Sequence, residues 1–235
     1  MAGAHQRYDR CWPRSVLTVS WPTVACVYRS GGTYTQSWVI RLAEAVERNM
    51  SAHRFVCLTD LNLSLEQWNI ETVPLTENWP GWWSKIELFR PGLFAGPVLY
   101  IDLDSLITGD LDRLLDTSGS LRMVGDFLTS GSHNSSVMAW TGDMREIYDR
   151  FRADPVGFRT QYDRRTDGRI GDQAFIEDVA ADAGYGPTAF KAGVVASYKL
   201  HAQLDPPAGS SIVTFHGRPK MNEIKSGWVA DAWSR

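Results

Sequence analysis

Apolar and polar positions follow one another along this chain in blocks that predict an α/β fold. Short runs rich in β-branched and apolar residues predict buried strands at 23–28, 54–60, 70–74, 97–102, 121–126, 136–140 and 211–215. Apolar residues at helical spacing predict helices at 36–49, 82–90, 111–115, 144–152 and 172–183. Strand, helix and strand in succession predict a parallel βαβ unit. We therefore predict one domain over 21–235, with a mostly parallel central sheet flanked by helices and an N-terminal extension over 1–20.

Composition narrows the possible partners and location. The 235 residues are 43% hydrophobic and 22% charged, which excludes disordered and fibrous classes. A net charge of −3 argues against a nucleic-acid partner. No apolar run reaches the roughly 18 residues of a membrane helix, so we expect no integral membrane segment. The three cysteines lack CxxC spacing, which favours reduced thiols and a cytoplasmic protein.

Two aspartates follow the most apolar predicted strand. In Tyr-Ile-Asp-Leu-Asp at 100–104, the two carboxylates stand at alternate positions, so an extended chain turns both to one side. Ligands of α/β proteins collect at the carboxyl ends of parallel strands. Close carboxylates repel each other unless a cation lies between them, and Mg²⁺ or Mn²⁺ prefers such oxygen ligands. An Asx turn at a strand end is the structural alternative.

Further motifs in fixed order extend this signal over most of the chain. They are Trp83-Ser-Lys85, the strand 98–104 with its two aspartates, Asn134 to Met138, Gly171-Asp-Gln173 and His216-Gly-Arg-Pro-Lys220. Together they resemble glycosyltransferase family 8, the group of glycogenin and the lipopolysaccharide galactosyltransferases. The resemblance implies a GT-A fold and transfer of a sugar, with retention of configuration. The implied donor is a nucleotide-diphosphate sugar, usually a UDP-sugar, and the acceptor stays open.

The resemblance also implies roles for individual residues. The implied ligands of Mn²⁺ or Mg²⁺ are Asp102, Asp104 and His216. Lys220 would add positive charge to the diphosphate, and Lys85 would reach the sugar or the aspartates. Hydroxyls of the donor sugar would meet Asp126, Asn134, Asp172 and Gln173. We expect further donor contacts from Val27, Tyr28, Tyr34 and Gly217.

The chain departs from the family pattern near both ends of the predicted site. His216 adjoins Gly217 directly, whereas the family has its histidine three residues before that glycine. Met221-Asn222 replaces the usual Pro-Trp, and Arg29 to Gly32 replaces the usual opening after the first strand. These departures concern the imidazole ligand and base recognition, and they leave both aspartates in place.

Two other functions fit parts of the sequence. A sugar-phosphate nucleotidyltransferase has a related sheet and the same need for a metal, but only a faint form of its Gly-rich phosphate loop follows the first strand. A non-catalytic protein that binds nucleotide sugars or carbohydrates is the second alternative. Single residues also have structural interpretations: His216 and Asn134 suit turns, and Asp172 suits a helix N-terminus.

Aromatic and basic segments leave further alternatives open. Trp79-Pro-Gly-Trp82-Trp83 could present an aromatic face to an acceptor sugar, although we favour core packing for Trp83. The arginine-rich segment 150–169 is expected to include a polar loop before Asp172, either mobile over the donor or simply solvated. Tyr198 to His201 could line the acceptor side or form a surface strand.

Overall fold

The computed structural model describes residues 21–115 and 119–234. The predicted extension over 1–20 lies outside the described residues. The strands are β1 Thr23–Tyr28, β2 Arg54–Thr59, β3 Ile70–Pro74, β4 Val98–Ile101, β5 Ser105–Ile107, β6 Arg122–Gly125, β7 His133–Trp140, β8 Thr188–Ala189, β9 Val195–Ser197 and β10 Ile212–Thr214. The α-helices are α1 Gln36–Asn49, α2 Arg145–Ala153, α3 Pro155–Asp163, α4 Gly171–Asp182, α5 Tyr198–His201 and α6 Trp228–Trp233. Four 3-10 helices lie at Glu66–Trp68, Gly81–Phe89, Asp112–Leu114 and Met221–Glu223.

The central sheet has seven strands in the order β3-β2-β1-β4-β7-β6-β8. β1 lies between β2 and β4 and pairs with both in parallel, so the βαβ prediction is confirmed. β7 is antiparallel to β4 and to β6. The chain builds outward from β1 to β3 and then returns to the other side of β1 as β4. This change of direction is a topological switch point at the carboxyl ends of β1 and β4, and α/β proteins hold ligands in the crevice at such a point.

Both faces of the central sheet are buried, which explains the continuous apolar runs of its strands. Along β1, Ala25 packs in the same cluster as Trp83 and Phe175. Its neighbours Val24 and Cys26 pack on the opposite face, in the cluster that contains Val39 of α1. A strand covered on both sides needs apolar residues at every position. The apolar runs in the sequence therefore located these strands correctly.

A second sheet carries the carboxyl-terminal motif to the end of β4. It has three strands in the order β5-β10-β9, with β5 antiparallel to β10. β5 begins directly after Asp104, and the Phe215 N–H donates to the Asp104 carbonyl oxygen at 2.8 Å. The sequence analysis missed β5 and β9, because each has only three residues and is formed by pairing with β10.

Several predicted elements differ from the structure. The predicted helix 82–90 is the 3-10 helix Gly81–Phe89, in which every residue from 83 to 89 is buried. Neighbouring segments therefore pack against every side of this helix, which has no single apolar stripe. Tyr198 to His201 forms α5 and not a surface strand. β7 begins at His133, so Asn134 lies in a strand and not in a turn.

The arginine-rich segment 150–169 is mostly helical, and the predicted polar loop before Asp172 is limited to residues 164–170. α2 continues to Ala153, and α3 begins immediately afterwards at Pro155. The Asp154 carboxylate accepts a hydrogen bond from the Gly157 N–H at 2.9 Å and so caps α3. Proline has no backbone N–H, but in the first turn of a helix that N–H would have no partner within the helix. Proline is therefore tolerated at this position. The pair Asp154-Pro155 therefore signals the start of a helix. The sequence analysis missed this signal because it weighed the arginines of the segment instead.

Among residues 21–115 and 119–234, no helix is both long and apolar enough to cross a membrane.

Candidate active site

The two aspartates lie where β4 leaves the central sheet. The Asp102 N–H donates to the Ser136 carbonyl at 2.8 Å, which continues the ladder between β4 and β7 by one residue. Leu103 is buried, and Asp104 leads into the second sheet. Asp102 and Asp104 therefore stand at the junction of the two sheets, beside the crevice between β1 and β4.

A buried ion network forms around Lys85, which lies on the 3-10 helix Gly81–Phe89. Its ammonium nitrogen is 3.3 Å from Asp102 Oδ1 and 3.1 Å from Asp172 Oδ2, and it donates to Ser135 Oγ at 2.9 Å. Burial alone would lower the pKa of Lys85, but the charges of Asp102 and Asp172 outweigh burial and raise it. We call Lys85, Asp102, Ser135 and Asp172 the Lys85 network. Lys85 is a fixed positive charge between two carboxylates.

Asp102 has a strongly raised pKa. Burial is the largest cause, Lys85 opposes it, and the nearby Asp104 charge adds to it, so that the pKa of Asp102 is raised to about 6. The Tyr100 hydroxyl donates to Asp102 Oδ1. The repulsion between the two aspartates that the sequence predicted is therefore present in the folded protein.

The first turn of α4 packs against the start of β7 and joins two of the predicted motifs. Ser135 Oγ donates to Asp172 Oδ2 at 2.7 Å, and the Asn134 amide donates to Gln173 Oε1 at 3.0 Å. Gly171 opens the helix with a φ of +68°, a left-handed conformation that favours glycine. The structure thus places Asn134, Asp172 and Gln173 together next to Lys85.

Asp104 makes a separate ion pair on the other side of the site. The Lys220 ammonium group pairs with Asp104 Oδ2 and also donates to the Phe215 carbonyl at 3.0 Å. The Tyr34 hydroxyl donates to the same carboxylate oxygen at 2.9 Å. Burial, followed by the Asp104 charge, raises the pKa of Tyr34, which therefore stays a hydrogen-bond donor. We call Tyr34, Asp104 and Lys220 the Lys220 cluster.

His216 lies near Asp104 but is held by another partner. Its Nε2 is 2.8 Å from Ser197 Oγ, and its ring stacks on Phe127 with centroids 5.8 Å apart. Burial, followed by the positive charge of Lys199, lowers the pKa of His216, so the ring is neutral at pH 7. A neutral imidazole is the form that binds metal ions.

Asp126 forms a local turn directly after β6. Its Oδ1 accepts hydrogen bonds from the N–H groups of Leu128 at 2.8 Å and Thr129 at 2.7 Å. Its charge raises the pKa of His216 against the effect of burial, which places Asp126 on the His216 side of the site. Its predicted contact with the donor sugar stays a prediction.

The remaining predicted residues lie at the ends of β1 and β10. Val27 is half-buried, and Tyr28 is buried in the same apolar cluster as Leu103. Gly217 has a φ of +69°, and a Cβ added there would lie 3.0 Å from Lys199 Nζ. These positions flank the crevice, and their donor contacts stay predictions.

Some partners of the site were not found from the sequence. Ser135 lies within the motif Asn134 to Met138, so a closer look at that motif could have found it. Tyr100 stands two residues before Asp102 in the motif 100–104, so the alternation along the strand could have found its contact with Asp102. Ser197 gave no such signal, because its contact with His216 depends on the pairing of β9 with β10. Trp82 is a further case: it is 59% exposed, whereas Trp79 and Trp83 are buried in the core. The favoured core packing of Trp83 is thus confirmed.

The donor set partly fits the implied divalent ion. Two carboxylates and a neutral imidazole are ligands that Mn²⁺ accepts. Burial first, and then the Asp104 charge, raise the pKa of Asp102, and a cation would offset both. In the part of the chain that the structure describes, however, no group of three His, Cys, Asp or Glu side chains is close enough together to hold a metal ion. The Asp104 carboxylate is instead paired with Lys220, and the His216 ring nitrogen Nε2 is hydrogen-bonded to Ser197.

Comparison with solved structures establishes the fold. The glycosyltransferase GlyE of Streptococcus pneumoniae TIGR4 is similar with a TM-score of 0.63 at 14% identity, over 91% of this chain and 60% of GlyE. The galactosyltransferase LgtC, solved with donor and acceptor sugar analogues, has a TM-score of 0.59 at 13% identity, over 90% of this chain and 94% of LgtC. This chain has a GT-A fold. The predicted fold class and the resemblance in fold to these glycosyltransferases are confirmed.

Mouse xyloside xylosyltransferase 1 is also similar, with a TM-score of 0.51 at 10% identity, over 84% of this chain and 99% of that one. The chain spans about 60% of the length of GlyE. No protein-family model and no curated protein matches the sequence. At these identities the similarity establishes the fold, and the reaction has to be argued from the site.

Proposed function

We propose that this chain is a metal-dependent glycosyltransferase that moves a hexose from a UDP-sugar to an acceptor hydroxyl, with retention of configuration. The observation that supports this most is the convergence of the Lys85 network and the Lys220 cluster at the crevice between β1 and β4. A nucleotide diphosphate brings negative charge, which ammonium groups bind well. A donor sugar brings hydroxyls, which need polar partners once water is excluded.

The diphosphate half of the proposal rests on the Lys220 cluster and the aspartates. Asp102, Asp104 and His216 would hold Mn²⁺ or Mg²⁺, which when bound acts as a Lewis acid and neutralises charge on the leaving diphosphate. Lys220, released from Asp104, would pair with the diphosphate. The neutral state of His216 and the repulsion between the aspartates support this assignment.

The sugar half of the proposal rests on the first turn of α4. Asn134 holds Gln173 by its side-chain oxygen, so the amide nitrogen of Gln173 is the end that can donate to a sugar hydroxyl. Asp172 is fixed by Lys85 and Ser135, and a fixed carboxylate binds a hydroxyl without a further loss of side-chain entropy. Lys85 thus orients the group that we assign to the donor sugar.

A thermal-shift panel of UDP-, GDP- and CDP-sugars, with and without Mn²⁺, tests this function. A UDP-sugar with Mn²⁺ at a hundred times its dissociation constant should stabilise the protein by about 2.7 kcal/mol. Asp104→Asn serves as the matched control and should lose most of the Mn²⁺-dependent part. No stabilisation by any nucleotide sugar would contradict the proposal.

Activity assays on the same donors separate the alternatives. Transfer or slow hydrolysis of the UDP-sugar, with the product anomer read by NMR, supports a retaining transferase. Pyrophosphate release from a nucleoside triphosphate and a sugar 1-phosphate would instead support a nucleotidyltransferase. Tight donor binding without turnover on any acceptor would support a non-catalytic binding protein.

A further inference from the structure

Trp82 is the most exposed tryptophan among residues 21–115 and 119–234, at 59% of its surface. It stands on the same 3-10 helix as Trp83, which is buried and stacks on Phe151 with ring centroids 4.8 Å apart. The core is therefore closed by Trp83 and needs no contribution from Trp82. Trp82 therefore presents a flat apolar ring to solvent, and binding sites commonly combine aromatic side chains with a few polar groups.

The indole of Trp82 lies at the edge of the candidate active site. Its Nε1 is 3.0 Å from the point where a Cβ on Gly171 would stand, so the ring lies against the backbone at the start of α4. Gly171 immediately precedes Asp172, and Lys85 follows Trp82 by three residues on the 3-10 helix. The same two segments thus supply Lys85 and Asp172 inside the site and Trp82 at its rim.

The surroundings of Trp82 combine an apolar face with polar groups. Ile170, the residue before Gly171, is 50% exposed and extends the apolar surface at this edge. Asp172 and Gln173 lie beyond Gly171 in the first turn of α4. A flat apolar ring beside fixed hydrogen-bonding groups matches a pyranose, which has an apolar C–H face and hydroxyls around its edge.

We propose that Trp82 is a stacking platform for a pyranose ring of the acceptor, so that the acceptor is a saccharide or a glycoside. This inference rests on the proposed function and names the substrate class of the same site. Sugar transfer needs the acceptor hydroxyl next to the donor carbon, and the donor sugar is assigned to Asp172 and Gln173. A ring stacked on Trp82 lies next to those residues and outside the Lys85 network.

Saturation-transfer NMR on the full chain tests the platform directly. The probes are methyl β-glycosides of glucose, galactose and xylose, with lactose and maltose, each measured with and without UDP and Mn²⁺. Wild-type protein should bind at least one of them. Trp82→Ala should weaken that binding at least tenfold, whereas Trp82→Phe, which keeps a flat ring, should stay within threefold.

Trp21→Ala is the matched control, because Trp21 is also exposed but precedes β1 at the opposite edge of the sheet. It should leave sugar binding unchanged. No binding of any probe to the wild type, equal losses in the Trp21 and Trp82 variants, or unchanged affinity in Trp82→Ala would each overturn the inference.

Two further measurements exclude other roles for the indole. A loss of UDP affinity in Trp82→Ala that matches its loss of sugar affinity would move Trp82 to the donor pocket and overturn the inference. Dimerisation of the wild type that Trp82→Ala abolishes, seen by sedimentation, would assign the face to a second copy and overturn it as well. Failure of the proposed function is distinct, because it shows as a wild type that binds no nucleotide sugar.

Discussion

The Lys85 network and the Lys220 cluster both pair a lysine with an aspartate of the same motif, yet they are built differently. The central sheet, its 3-10 helix and α4 enclose Lys85, which is 5% exposed and has partners from β7, α4 and the end of β4. Lys220 comes from the segment after the second sheet, and its ammonium group pairs with Asp104, donates to the Phe215 carbonyl and lies 5.8 Å from the centre of the Tyr34 ring.

The difference indicates that the Lys85 network is a rigid scaffold, whereas the Lys220 cluster responds to ligand. A buried charge with several fixed partners costs a large free energy to disturb, because each partner would be left desolvated and unpaired. The Lys220–Asp104 pair is also mostly buried, with side chains 14% and 12% exposed, but it lies on a short connecting segment and has fewer partners, so fewer groups are left unpaired when it rearranges. We therefore expect the Lys85 network to be preorganised and Lys220 to exchange Asp104 for the diphosphate.

The largest expected effect is on the scaffold. Lys85→Met leaves the carboxylates of Asp102 and Asp172 buried without their cation and should lower the free energy of unfolding by about 3–5 kcal/mol. Urea denaturation at pH 7 measures the change. Lys220→Met is the matched variant and should cost less, about 1–3 kcal/mol, because Asp104 keeps the hydrogen bond from the Tyr34 hydroxyl. Equal losses in the two variants would remove the distinction between scaffold and responsive half.

The second expected effect concerns the Lys220 cluster and the metal ion that we assign to Asp104. Asp104→Asn keeps the shape of the side chain and removes its charge, so Mn²⁺-dependent sugar transfer should fall about a hundredfold, or about 2.7 kcal/mol in the barrier. The unfolding midpoint should stay close to that of the wild type. Wild-type turnover at limiting Mn²⁺ would refute the assignment of Asp104 to the metal.

The third effect divides the pocket between sugar and diphosphate. Asp172→Ala removes the partner of a donor hydroxyl and should lower transfer at least tenfold, about 1.4 kcal/mol in the barrier. Calorimetry with UDP and Mn²⁺ should show little change, because UDP lacks the sugar. If UDP affinity fell as steeply as transfer, Asp172 would belong to the diphosphate half.

A pH effect follows from the raised pKa of Asp102. Because burial raises this pKa to about 6, above the ordinary value of about 3.9, the folded state binds the extra proton between these values. The Asp102 contribution to stability is therefore lost as pH rises from about 4 to about 6, with a slope of at most about 1.4 kcal/mol per pH unit. Denaturation at pH 4, 5 and 6 should show this slope in wild type relative to Asp102→Asn. Parallel curves would show that Asp102 titrates normally.

The smallest effect concerns His216. If His216 is the third ligand, His216→Ala should raise the Mn²⁺ concentration for half-maximal transfer about threefold to tenfold, with a smaller change at saturating Mn²⁺. Ser197→Ala, which frees Nε2 from its present partner, is the informative comparison. An unchanged Mn²⁺ titration in His216→Ala would leave His216 as a structural residue of the turn.

Much of the fold followed from local sequence pattern. A strand that is covered on both faces must be apolar throughout. β1, β2 and β4 could therefore be located in the sequence as continuous apolar runs. The aspartates at 102 and 104 stood out for the same reason, because they end the most apolar of these runs. In the structure Lys85 contacts both Asp102 and Asp172, and Asn134 contacts Gln173, so these motifs lie together.

The three-dimensional structure alone decided the parts that depend on distant pairing. Two-residue and three-residue strands such as β5, β8 and β9 have no periodicity to detect, and their partners lie up to about a hundred residues away. That pairing takes Lys220 to Asp104, turns His216 toward Ser197 and leaves Trp82 at the rim of the site. The sequence by itself determined which segments form the sheet and which residues bear charge at its edge. Which of those charges meet, and which apolar ring stays in water, was decided by packing between segments that no local pattern connects.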